Sequence, residues 1–135
     1  MSNANSPAAT ALPLATILRL DAITCLLMGA LLLAAAGPVA ALTALPQVLL
    51  FWAGAALLPV AAFMWLTASG RLPGRWPVMV VVLGNLGWVT ASLAVALMLS
   101  PNALGVVFLL GQAAAVLGFA VLEGQRSRES SDRLA

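Results

Sequence analysis

The chain contains no histidine, no lysine and no tyrosine, and a single cysteine. The usual ligand sets for zinc, haem and iron-sulfur clusters are therefore missing, and the sequence predicts no metal and no cofactor. Cys25 has no partner for an internal disulfide, so cysteine usage says nothing of redox compartment. A hydrolase or transferase needs a base within reach of a nucleophile, and the hydrophobic stretches offer none of the usual ones, so no enzymatic activity is expected. Charge is scarce as well. Only 7% of residues are charged, against about a quarter in an ordinary soluble domain. Six arginines outnumber four acids and give a pI near 10.1, yet a nucleic-acid groove needs many more cations with interleaved aromatics, and no nucleic-acid partner is expected.

What is present is hydrocarbon. The 135 residues are 63% hydrophobic, with mean hydropathy +1.09. No charge interrupts residues 22–70 or 76–122, and each block is long enough to cross a bilayer twice at about 20 residues per span. The expected fold is all-α, a four-transmembrane-helix bundle with antiparallel up-down neighbours and spans near 14–36, 46–68, 77–99 and 103–122. Residues 1–13 are small and polar and predict a disordered lead. The transmembrane domain then covers 14–123, and 124–135 form a polar tail expected to fray.

Punctuation supports these limits. Gly37-Pro38 is a helix terminator, with 39–45 a short connector. Pro46 suits a first helical turn, and Pro59 predicts a bend in the second span. The stretch SGRLPGRW at 69–76 is the clearest loop, and Ser100-Pro101-Asn102 is a tight turn. The first span also looks like a signal peptide, with Arg19 before an apolar run and Ala34-Ala35-Ala36 as a cleavage site. Its long lead without another positive residue speaks against that. Arg71 and Arg75 lie between the second and third spans and Arg126, Arg128 and Arg133 after the fourth, while the other two connections carry no charge. The positive-inside rule puts both termini and the central loop in the cytoplasm, with Trp76 as an interfacial anchor.

The few polar residues inside the spans are the candidate functional ones. Asp21 should lie about 6 to 10 Å inside the cytoplasmic edge and Asn85 about 12 Å, so the two can meet. Glu123 ends the fourth span, within snorkelling reach of Arg19. Arg19 and Asp21 are separated by about 200° around the helix and cannot face the same neighbour. With Gln112 near mid-depth, the candidate intramembrane polar cluster is Arg19, Asp21, Asn85, Gln112 and Glu123, either as one site or as unrelated contacts. Asp21 can be a packing lock or a titrating carboxylate. Two small-residue strips, Gly84, Gly87 and Ala91 in the third span and Gly111, Ala115 and Gly118 in the fourth, are expected to let helices approach closely.

The segments LRLDA, NLGW, SPNALG and GQAAAVLGFAVLEG together resemble an uncharacterised family of small bacterial four-helix integral membrane proteins, over residues 18–124. That resemblance implies the four-span topology and a bacterial inner membrane location, and nothing about activity. The first functional expectation is a non-enzymatic scaffold, accessory or assembly subunit acting through helix packing, with the bilayer and a homo-oligomer or membrane protein partner. The alternative is a small carrier or channel working as an oligomer, with Asp21 as coupling carboxylate. Small multidrug exporters also have four spans and an acid in the first, but here an arginine adjoins the acid and the arginine bias fixes one orientation.

Overall fold

The computed structural model describes residues 12–134, which form four helices: α1 Leu14–Thr43, α2 Gln47–Ala68, α3 Trp76–Met98 and α4 Ala103–Leu134. Residues 1–11, most of the expected lead, lie outside the described residues. Every one of the four helices is long and apolar enough to cross a membrane, so the chain is a multi-pass membrane protein. Its outward surface fits lipid and not water. Leu97 is 85% exposed and Met98 79%, and Val48, Val107 and Trp52 are nearly as open. Water would not tolerate such a surface on a monomer.

Helix α1 packs most closely on α2, and α3 on α4; the two pairs join through α1 and α4, while α2 and α3 scarcely touch. The buried positions of α1 include the series Leu18, Ala22, Cys25, Gly29, Leu32 and Ala36, and those of α2 are Leu50, Gly54, Leu57, Ala61, Met64 and Ala68. Both series step by four and three residues in turn, the 3.5-residue repeat of a coiled-coil seam. A small residue recurs every seventh position in each. At the crossing, a Cβ added to Gly54 would stand 2.8 Å from Leu32 Cβ and 2.9 Å from the Gly29 carbonyl oxygen. Glycine is what permits this approach.

Two expected boundaries move. The first helix does not stop at 36 but continues through Pro38 to Thr43, with a break at Ala35 (φ −130°, ψ 29°). A proline at 38 removes a donor and crowds the carbonyl of Ala34; the break swings the chain away at that point, so the connector 39–43 is a short bent helical extension. The polar tail is helical too, since α4 runs to Leu134 with Arg126 Nη1 donating to Glu129 Oε2 at 2.7 Å one turn on. Such pairs support a solvated helix.

The turn at 100–102 does more than reverse the chain. Asn102 Oδ1 accepts from the Gly105 N–H at 2.9 Å, an N-cap for α4. The Asn102 backbone N–H donates to the Thr43 carbonyl at 3.2 Å, and its Nδ2 to the Leu42 carbonyl at 2.8 Å. Those carbonyls end α1 and would otherwise lack donors. One asparagine thus ties the two uncharged connections together at one end of the bundle.

Candidate functional site

Near the other end, three helices each send one polar side chain inward. Asp21 stands seven residues into α1, about 10 Å along its axis, and Asp21 and Glu123 of α4 are both 0% exposed. Asn85 of α3, 5% exposed, lies between them. Its Nδ2 donates to Asp21 Oδ2 at 2.7 Å and to Glu123 Oε2 at 3.2 Å. The two accepting carboxylate oxygens therefore lie within about 6 Å of each other. An amide nitrogen has two protons, and here each acid takes one.

The remaining valences are less well served. Asp21 Oδ1 accepts a long contact from Cys25 Sγ at 3.7 Å, one turn on along α1, and thiols are weak donors. Thr24 turns away, donating to the backbone carbonyls of Asp21 and Leu20. Glu123 Oε1 is buried with no partner. No arginine reaches either acid: among the described residues the ion pair found is Arg126 with Glu129, on the tail.

The expected cluster is therefore smaller than the sequence suggested. Asp21, Asn85 and Glu123 converge. Arg19 does not join Glu123; it is exposed and its guanidinium lies 5.8 Å from the centre of the Trp65 ring of α2, a cation–π contact. The 200° separation from Asp21 turns it onto the opposite flank of α1, and Glu123 is already inside. Gln112 is half-buried, makes no hydrogen bond to the trio, and sits eleven residues before Glu123, about 16 Å away along α4. The two small-residue strips also depart from expectation within this chain. Gly84, Gly87, Ala91, Gly111, Ala115 and Gly118 are all exposed, and a Cβ at any of the four glycines would meet nothing within 4 Å. The close approaches are made by Gly29 and Gly54 between α1 and α2, and by Gly105 at the start of α4 against the Thr43 carbonyl.

Cavities flank the trio. One of about 310 Å³ opens between α2 and α3, where those helices diverge, and is walled by Phe63, Met64, Val81 and Trp88, with Asn85 and Cys25 in its lining. Another of about 210 Å³ lies on the α1–α4 side, with Asp21 in its wall beside Trp88, Phe119 and Gln112. Cys25, Leu57, Trp88 and Val116 line both, so the two spaces share a partition in the middle of the bundle. No group of three or more histidine, cysteine, aspartate or glutamate side chains suited to a metal ion occurs among the described residues.

Sequence reasoning missed the α1–α2 seam, although its signal was present: Ala22, Gly29 and Ala36 are spaced by seven, as are Gly54, Ala61 and Ala68. It also missed Asn102 as a clamp. No protein-family model matches the chain, and no match to it is found among curated proteins or solved structures.

Proposed function

We propose that this protein is a small carrier of the bacterial inner membrane in which the Asp21–Asn85–Glu123 trio takes up and releases a proton. The observation that carries the reading is a pair of buried carboxyls on one amide, with Glu123 Oε1 unpartnered and no cation of the described residues in contact. Two bare charges within about 6 Å of each other repel by about 3 kcal/mol even at an effective dielectric of about 20. One proton taken up by the pair removes that repulsion, and the unpartnered Glu123 Oε1 is an oxygen free to carry it. A lock that only fastened α4 to Asn85 would do as well with a neutral acceptor; a second acid beside the first adds repulsion and desolvation cost.

In this reading the helices run up and down in turn, with both termini and the loop bearing Arg71 and Arg75 in the cytoplasm, as the arginine distribution directs. The trio then lies in the cytoplasmic half of the bundle. The bacterial inner membrane follows from the resemblance of LRLDA, NLGW and GQAAAVLGFAVLEG to small bacterial membrane proteins. No covalent chemistry is assigned to the trio, and the protein is non-enzymatic. Infrared spectroscopy of the protein in lipid discs tests the proposal. A carboxylic acid carbonyl band that titrates with pH, and that is displaced in both Asp21→Asn and Glu123→Gln, is expected; a spectrum without such a band in the wild type overturns it.

A second reading, the scaffold or assembly subunit, is favoured by a different observation. The strips of Gly84, Gly87 and Ala91 and of Gly111, Ala115 and Gly118 are exposed, with open space above their glycines. Helices of a second copy or of another membrane protein can approach such backbones closely. The readings are compatible, because four short helices enclose little space and a carrier of this size gains from self-association.

A further inference from the structure

We propose that a groove along the outside of α1 and α2 holds one anionic phospholipid, with an acyl chain in the groove and the phosphate on Arg19. The inference does not depend on the proton reading, because the groove lies on the flank of α1 turned away from Asp21.

The groove is a consequence of small residues. Ala22 and Ala61, both members of the seven-residue repeats in the α1–α2 seam, are buried at its floor, while Ile23 and Leu26 of α1 and Leu58 and Leu66 of α2 stand more open along its sides. The single side-chain carbon of alanine leaves a trough of about 430 Å³ between these larger neighbours. From Leu66 to Leu58 it follows α2 for about 12 Å, and its lining is entirely hydrocarbon and indole. A chain of methylenes gains from burial there, whereas a polar solute does not.

Charge selects the rest of the molecule. Arg19 stands one turn before Ala22 and Ile23, is exposed, and holds its guanidinium 5.8 Å from the centre of the ring of Trp65, itself a groove residue. It forms no ion pair among the described residues. All four acids of the chain are committed elsewhere: Asp21 and Glu123 are buried inside the bundle on Asn85, Glu129 pairs with Arg126, and Asp132 lies near the far end of α4. At the same end of the groove the Arg71 N–H donates to the Leu66 carbonyl at 3.3 Å, which brings a second arginine's backbone to its mouth. The mouth is therefore positive and the trough below it apolar. A guanidinium resting on an aromatic ring keeps planar N–H donors for a phosphate, and arginine and tryptophan both settle at headgroup level while neighbouring side chains meet acyl chains. A phospholipid with no compensating amine supplies both parts, a phosphodiester for Arg19 and a hydrocarbon chain for the trough.

Native mass spectrometry of the full chain, released from mixed micelles holding equal amounts of phosphatidylglycerol and phosphatidylcholine with the same acyl chains, tests this. One phosphatidylglycerol retained per chain is expected, preferred about tenfold over phosphatidylcholine. Arg19→Gln should lower that preference about fivefold, and Ala62→Leu, which fills the groove from an exposed lining position, should lower retention severalfold. Arg128→Gln removes the same charge from an exposed site on the tail and should change neither. Equal retention of the two lipids by the wild type, or release of phosphatidylglycerol by inorganic phosphate, overturns the proposal, and neither measurement needs a variant to fold. Equal losses in Arg19→Gln and Arg128→Gln would reduce the effect to diffuse surface charge, unchanged retention in Ala62→Leu would remove the acyl chain from the groove, and a lipid-free dimer would put a second copy there; each of these also overturns it.

Discussion

Asn85 is the residue on which the interior depends, because it alone supplies ordinary hydrogen-bond donors to both buried acids. Replacing it by leucine keeps the size and removes the donors, leaving two desolvated carboxyls without a partner. An unsatisfied buried polar group costs about 1–3 kcal/mol, so Asn85→Leu should lower stability by about 2–3 kcal/mol in a denaturation series in mixed micelles. Glu123→Gln should cost far less, within about 1 kcal/mol, since a neutral amide imitates a protonated carboxyl and still accepts from Asn85. A greater loss from Glu123→Gln than from Asn85→Leu would mean that both acids are charged and held by something other than the amide. The pairing of Asp21 with Asn85 was legible from depth along two helices alone. The inclusion of Glu123 in place of Arg19 was not, because the reach of a long side chain says nothing of which flank of the helix it leaves from.

At the level of elements, sequence reading placed all four helices but not the faces they share. In water, a buried face stands out by contrast with a polar one. Here lipid-facing and protein-facing positions are equally apolar, so the contrast vanishes and only side-chain size distinguishes them. The strips in α3 and α4 have the right composition and are exposed, whereas the quieter seven-residue repeat in α1 and α2 forms the most extensive helix contact. Substitutions separate the two cases. Gly54→Leu drives a side chain into Leu32 and the Gly29 backbone and should destabilise by about 1–3 kcal/mol or more. Gly84→Ala and Gly87→Ala meet open space and should shift the melting point of the isolated chain upward or not at all, since alanine is the better helix former by about 1 kcal/mol. Asn102→Ala removes a cap and a clamp together and should cost about 1–2 kcal/mol, read as early loss of protection from hydrogen exchange at the start of α4.

For the whole molecule, the arrangement is two close-packed helix pairs, α1 with α2 and α3 with α4, joined along α1 and α4 and open between α2 and α3. The joined side carries the trio and the opposite side carries the larger cavity. Such a bundle can widen its open side without breaking the α1–α2 seam or the Asn102 clamp, so the seam and clamp should exchange amide protons slowly while α3, which flanks the α2–α3 cavity outside the seam, exchanges faster. Association with a second chain has its own surface in Gly87 of α3 and Gly111 and Gly118 of α4, whereas Gly84 also lines the α2–α3 cavity. Leucine at both Gly87 and Gly111 adds bulk where this chain has room, so folding should be unchanged. If these strips join two copies, the wild type should run as a dimer in mild detergent and in lipid discs, and the double variant as a monomer with the same helical content and melting point. A monomeric wild type with no co-purifying membrane protein would remove the scaffold reading and leave the trio as the sole candidate for function. A dimer that survives the double substitution would instead move the interface to α1 or α2, whose outer faces carry Leu26, Leu27 and Trp52 toward lipid.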